Sequence, residues 1–187
     1  MTYPIAEQSV ASEMRHFIDQ RKILMLSTLD SNGEPYASCA PFAVANSAFY
    51  VPLNGIAAQA VNLQTDPPPA MVLLIEDDGK TRAQAVRTRV IYQVVARLVQ
   101  FDDSDWDEGI AVLAQRHGDR LLSLSQFNDF RLFRLTTVRG RFISGTGQIY
   151  ALGNDSLTAP HSETAASSFN NIPNNTAPAT RNKRSAA

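Results

Sequence analysis

Lys22-Ile-Leu-Met-Leu-Ser-Thr-Leu29, then Asp30-Ser-Asn-Gly-Glu34, then Tyr36 to Ala45, is the stretch that decides the fold. The first segment is apolar without a two-residue alternation, the pattern of a strand covered on both faces. Asn32-Gly33 supplies the positive φ angles of a tight hairpin, so the following strand runs back antiparallel to the first. Asn46-Ser47 makes a second short turn before Phe49-Tyr-Val51, and Asn54-Gly55 ends that third strand. Two hairpins in succession make a meander, so the sheet is antiparallel.

Upstream of the meander, Val10, Met14, Phe17 and Ile18 recur at helical spacing, and Pro4 sits where a helix can begin without losing a hydrogen bond. This predicts an amphipathic helix over 5–20. Downstream, 56–64 reads as a short helix stopped by Pro67-Pro-Pro69, and 70–75 as a fourth strand. The segment 85–101 alternates most clearly. Val86, Val90, Tyr92, Val94, Ala96 and Leu98 share one face, while Arg87, Arg89, Gln93 and Arg97 share the other. One face is buried, and the other meets water, a cleft or a partner. Ser104-Asp-Trp-Asp107 has the form of a capping box and opens a helix that ends near Gly118. Phe130 to Leu135 and Gly140 to Gly145 read as the last two strands. Six or seven antiparallel strands with three short helices favour a mainly β barrel, because closure leaves few exposed edges.

The 187 residues, 44% apolar and 19% charged, have the composition of one globular domain. That domain is predicted over 1–153. From Asn154 to Ala187 the composition shifts to Asn, Ser, Thr, Ala and Pro, and a flexible tail is expected because little apolar surface offsets the entropy of ordering. A net charge of −1 gives no general attraction to nucleic acid. No run approaches the roughly 20 apolar residues of a membrane helix, so no membrane insertion and a cytoplasmic location are expected. Cys39 alone cannot close an internal disulfide or form a Cys/His zinc cluster, and it reads as a small buried residue.

Four stretches carry a further signal: Ala37-Ser-Cys-Ala-Pro-Phe42; Asn62-Leu63 with Met71-Val-Leu-Leu-Ile-Glu-Asp77; Val86-Arg-Thr-Arg-Val90; and Asp129-Phe-Arg-Leu-Phe-Arg-Leu135 with Gly140-Arg141 and Gly145-Thr-Gly147. With them the sequence resembles the pyridoxamine-phosphate-oxidase-like split-barrel superfamily, whose fold is an FMN-binding split β-barrel. Within that superfamily it is most similar to bacterial haem-utilisation proteins of the HugZ and HutZ type. The short helix departs from the family pattern Leu-Ala-x-His-Thr-x-Asn-Leu. It reads Ile56-Ala-Ala-Gln-Ala-Val-Asn-Leu63, with Gln59 and Ala60 in place of His and Thr. A dianionic FMN phosphate needs several charge-assisted donors, and these alanines offer none. Gly145-Thr-Gly147 also lacks the aromatic residue usual between those glycines.

Arg87 and Arg89 lie two apart on a strand, so they project from one face about 6.6–6.8 Å apart, against the alternative of an ordinary solvated face. The resemblance implies that this strand borders a haem site, where paired guanidiniums can bind the two propionates. Haem iron needs an axial donor. His16 and His117 read as structural residues of helices. The resemblance places the axial, metal-binding His on a C-terminal loop, where His161 is the candidate. It also places Asp129 of the other subunit of a homodimer against that His, as the catalytic tuning residue. Ser38, the small polar residue before Pro41-Phe42, has no Gly-x-Ser-x-Gly elbow or neighbouring base and is assigned a cofactor hydrogen bond. The expected function is haem binding in haem-iron utilisation, at a homodimer interface. Such a protein either opens the ring oxidatively, as an enzyme, or stores and delivers haem. The alternative is an FMN-dependent oxidoreductase.

Overall fold

The computed structural model describes residues 5–64, 69–76, 87–153 and 157. Helix α1 (Ile5–Gln20) leads into β1 (Ile23–Leu29) and β2 (Pro35–Pro41). Their turn is held by the Asp30 carboxylate, whose Oδ1 accepts the N–H groups of Asn32 at 2.8 Å and Glu34 at 2.9 Å. The Glu34 and Asn32 amides hold the Asp30 carboxyl below its usual pKa. Strands β3 (Ala43–Ala45) and β4 (Ala48–Asn54) join through Asn46 and Ser47, at φ 47° and 56°. Both turn residues are left-handed, which matches the strand twist. Next come α2 (Ala58–Asn62), β5 (Pro69–Ile75), β6 (Arg89–Val99), α3 (Ser104–His117), α4 (Arg120–Leu124), β7 (Phe130–Ile143) and β8 (Ile149–Leu152).

The strands pair antiparallel in the order β2-β1-β5-β6-β7-β4-β3, with β8 on β7, and β2 comes back alongside β4. The sheet therefore curls into a split barrel. Its interior is filled by Leu24 and Leu26, Val72 and Leu74, Val90, Tyr92 and Val94, and Phe133, Leu135 and Phe142, sealed by Met14, Phe17 and Ile18 of α1. A second cluster (Tyr50, Val99, Leu113, Leu121 and Leu132) seats α3 and α4 on the outside. Leu157, which the sequence reading puts in the tail, is buried in the main core.

Several elements differ from the sequence reading. In β1, Leu24, Leu26 and Thr28 are buried, whereas Ile23 and Met25 are 54% and 50% exposed. The strand does alternate. Its composition hides the period because the uncovered face is also apolar. The predicted strand from Tyr36 to Ala45 breaks at Phe42 into β2 and β3, next to Pro41, which has no N–H to give the ladder. The two closing strands are one, β7, which stays paired to β6 by a bulge at Val138 where Gln93 faces Arg139 and Val94 faces Thr137. The cap of α3 is Asp103, whose side chain accepts from Asp105 N–H, one residue before the expected Ser104. Val86, with 81–85, lies outside the described residues.

Candidate functional site

Strands β6 and β7 position the candidate residues, and they hold them at two ends. Arg89 pairs with Ile143 at one end of the ladder, while Val99 pairs with Leu132 at the other, just past Asp129. At about 3.3 Å per residue, Arg89 and Asp129 are separated by roughly 43 Å of ladder. Arg87-Thr88-Arg89 is fixed at its end by Glu76. Thr88 N–H donates to Glu76 Oε2 at 3.3 Å, and Glu76 N–H donates to Thr88 O at 2.9 Å. The Arg89 guanidinium donates to Arg87 O at 3.2 Å, so the two half-buried arginines are held together.

The face of the sheet turned away from the core carries two cross-strand rows. One runs Cys39, Met25, Leu73, Ile91, Arg141; the next runs Ala37, Ser27, Met71, Gln93, Arg139. Residues paired in this way share a face. The β2, β1 and β5 side is therefore an apolar surface with Met25 and Met71 about half exposed. The β6 and β7 side is edged by Arg89, Arg139 and Arg141. Ser38 pairs with Leu26 and so faces the opposite way, inward, half-buried. Its hydroxyl makes no hydrogen bond among the described residues. One chain thus brings Arg87 and Arg89 together and keeps Ser38 and Asp129 apart from them.

At the far end, the turn after β4 holds Asp129. Asn54 Nδ2 donates to Asp129 Oδ2 at 2.6 Å, and Gly55 N–H donates to Asp129 O at 2.6 Å. A cleft of about 340 Å³ opens beside them, lined by Pro41, Pro52, Leu53, Phe127 and Phe130, with Asn54 and Asp129 as its polar groups.

A model of the pyridoxamine 5'-phosphate oxidase family matches residues 10–144. The chain belongs to the pyridoxamine 5'-phosphate oxidase family. It is 36% identical over 145 residues to the haem oxygenase HutZ of Vibrio cholerae serotype O1, covering 78% of this chain and 82% of that relative. The crystal structure of Vibrio cholerae HutZ, described as a haem storage protein, superposes with a TM-score of 0.63 at 34% identity, over 70% of this chain and 89% of that one. Campylobacter jejuni ChuZ shares the fold, with a TM-score of 0.72 at 24% identity over 86% of this chain and 64% of that one.

In this member of the pyridoxamine 5'-phosphate oxidase family, α2 lacks the expected phosphate-holding groups. It begins at Ala57 with no side-chain cap and carries Ala58 and Ala60, and it is anchored instead by Asn62 Nδ2 donating to Thr28 Oγ1 at 2.9 Å. Both described histidines are engaged. His16 Nε2 accepts from Gln20 Nε2 at 2.8 Å, and His117 Nε2 donates to Phe42 O at 2.8 Å. His161 lies outside the described residues. The sequence reading missed Asn54, which it assigned only to a turn, and the arginines at 139 and 141. Their two-residue spacing on a strand next to Arg89 was the available signal. Among the described residues no helix is long and apolar enough to cross a membrane.

Proposed function

We propose that this chain binds haem between two copies of itself and serves haem-iron utilisation in the cytoplasm. The observation that carries the reading is the apolar outward face of β2, β1 and β5 running into the arginine edge of β6 and β7. Haem is a flat apolar ring with two carboxylates at one edge. Met25, Leu73 and Ile91 fit the ring, and Arg87 and Arg89 fit the propionates. The roughly 43 Å of ladder between Arg89 and Asp129 exceeds the span of one porphyrin, so in this reading different copies supply them to one ligand. In this reading His161 would hold the iron, and Asp129 of the second copy would orient its ring and raise its basicity. Similarity to a relative described as a haem oxygenase supports haem over other flat cofactors.

Haem, when bound, supplies the chemistry of oxygen activation. The chain would bind and orient it, with Arg87 and Arg89 at the propionates, the apolar face excluding water and Asp129 fixing the His161 ring. The family itself favours a second reading, an FMN-dependent oxidoreductase. The alanines of α2 weigh against it, because the helix offers a phosphate no charged or hydroxyl donor, only the neutral amides of Gln59 and of Asn62, and the latter is spent on Thr28.

A haemin titration of the full chain tests the reading. A Soret shift that is lost in His161→Ala is the expected result. No shift with haemin, together with a bound yellow chromophore on adding FMN, would overturn it in favour of the flavin enzyme. Consumption of bound haem under ascorbate and oxygen distinguishes degradation from storage.

A further inference from the structure

The turn after β4 does more than end a strand. Asn54 closes on itself through Oδ1, which accepts Ile56 N–H at 2.9 Å, and reaches across to Asp129 Oδ2 through Nδ2 at 2.6 Å. These two bonds fix the amide. Reversing it would set oxygen against carboxylate and N–H against N–H, losing both bonds at once. The next residue holds the same partner by its backbone, since Gly55 N–H donates to Asp129 O at 2.6 Å. A glycine eases that approach, because a Cβ at position 55 would lie a tight 3.1 Å from both Asp129 O and Arg131 Cγ. The neighbouring cation is turned elsewhere. Arg131 Nη1 donates to the carbonyls of Asn128 and Phe130, both at 2.8 Å, which leaves the Asp129 carboxylate to Asn54.

We infer that Asn54 is the positioning residue of Asp129, holding Oδ2 so that Oδ1 is presented in one fixed direction at the edge of the adjoining cleft. The inference rests on the proposal that Asp129 acts on the axial histidine of a bound haem. A carboxylate that orients a ligand ring works only if its own direction is set, and the partners that set it carry weight comparable to the ligand itself. The ligand class for the presented oxygen is an N–H donor with cationic character, such as an imidazole.

Asn54→Asp separates this role from the turn, because it keeps an oxygen for Ile56 N–H and removes the donor to Asp129. In the ligand-free full-length chain, side-chain NMR couplings of Asp129 are expected to report one rotamer in the wild type and averaging in the variant, with the Ile56 amide unmoved. With haemin, Asn54→Asp and Asp129→Asn are each expected to weaken binding about 10-fold and to shift the iron–histidine stretching band of the reduced complex in the same direction. A wild-type rotamer and band in Asn54→Asp, with the band shifted in Asp129→Asn, overturns the inference and leaves Asn54 a turn residue. An averaged rotamer with haemin affinity and band unmoved in both variants overturns it differently, by removing Asp129 from the haem site. If two adjacent carboxylates prevent folding, Asn54→Ala gives the Asp129 rotamer and haemin readouts, with the Ile56 amide expected to move because its acceptor is gone.

Discussion

Met25 faces Cys39 across the β1–β2 ladder on the side of the sheet turned away from the core, and both side chains are exposed. A thioether and a thiol on bare sheet surface, beside Met71 and Leu73, make an apolar face that a single chain leaves uncovered. If a second copy covers it, the Cys39 thiol is expected to alkylate slowly at concentrations where the chain is dimeric and rapidly on dilution. Met25→Asp puts an unpaired charge on that face and is expected to give a monomer by light scattering that retains the wild-type far-ultraviolet spectrum. Equal alkylation rates at all concentrations would remove this face from any interface.

The same residues show what the sequence disclosed and what it withheld. The hairpins were legible because Gly33 and Asn46 tolerate the left-handed backbone that tight turns need and most residues avoid. The alternation of Val90, Tyr92 and Val94 was legible because its other face is polar. In β1 both faces are apolar, so composition alone could not separate a strand buried within one chain from one whose second face lies open. Arg87 and Arg89 were visible as a pair, but their separation from Asp129 follows from the continuity of β7. The sequence reading had broken that strand at Thr136 to Arg139, where a bulge keeps the pairing. Asn54 was hidden because its turn chemistry accounts for an Asn-Gly without any partner.

Gly140 faces Tyr92 across the β6–β7 ladder. A Cβ there would stand 2.3 Å from Ile91 O and 2.6 Å from Tyr92 Cδ1. Backbone on one side and a fully buried ring on the other leave no room to yield. Gly140→Ala is expected to destabilise the fold by about 3 kcal/mol, read by urea denaturation, with the ladder that spaces the two ends of the site disrupted.

Arg116 joins the ends of two helices. Its guanidinium, 14% exposed, donates from Nη2 to the carbonyls of Ile18, Asp19 and Arg21 and lies 4.7 Å over the Phe42 ring. Burial pushes its pKa below the usual arginine value, with Asp19 acting in the other direction. Arg116→Ala removes the donor shared by those carbonyls and is expected to destabilise the chain by about 3 kcal/mol in the same denaturation assay. Arg116→Lys is expected to recover little, because one ammonium cannot reproduce the planar fork.

Acid sensitivity is expected from Asp103. The Asp105 amide and then the Arg97 guanidinium hold its carboxyl below the ordinary 3.8. A depressed folded value means the unfolded chain binds the proton first. The stabilisation is therefore complete above 3.8 and is lost as pH falls through the lower folded value. Asp103→Asn keeps an acceptor for Asp105 N–H, so its melting temperature is expected to fall less steeply than the wild type's between about pH 5 and 2.

The central claim, haem held between two copies, is tested most directly by native mass spectrometry of the full chain with haemin. The expected spectrum has haem retained on dimers and absent from monomers, with the dimers losing it in Arg87→Ala/Arg89→Ala. Haem carried by monomers, or dimers that carry none, would contradict it.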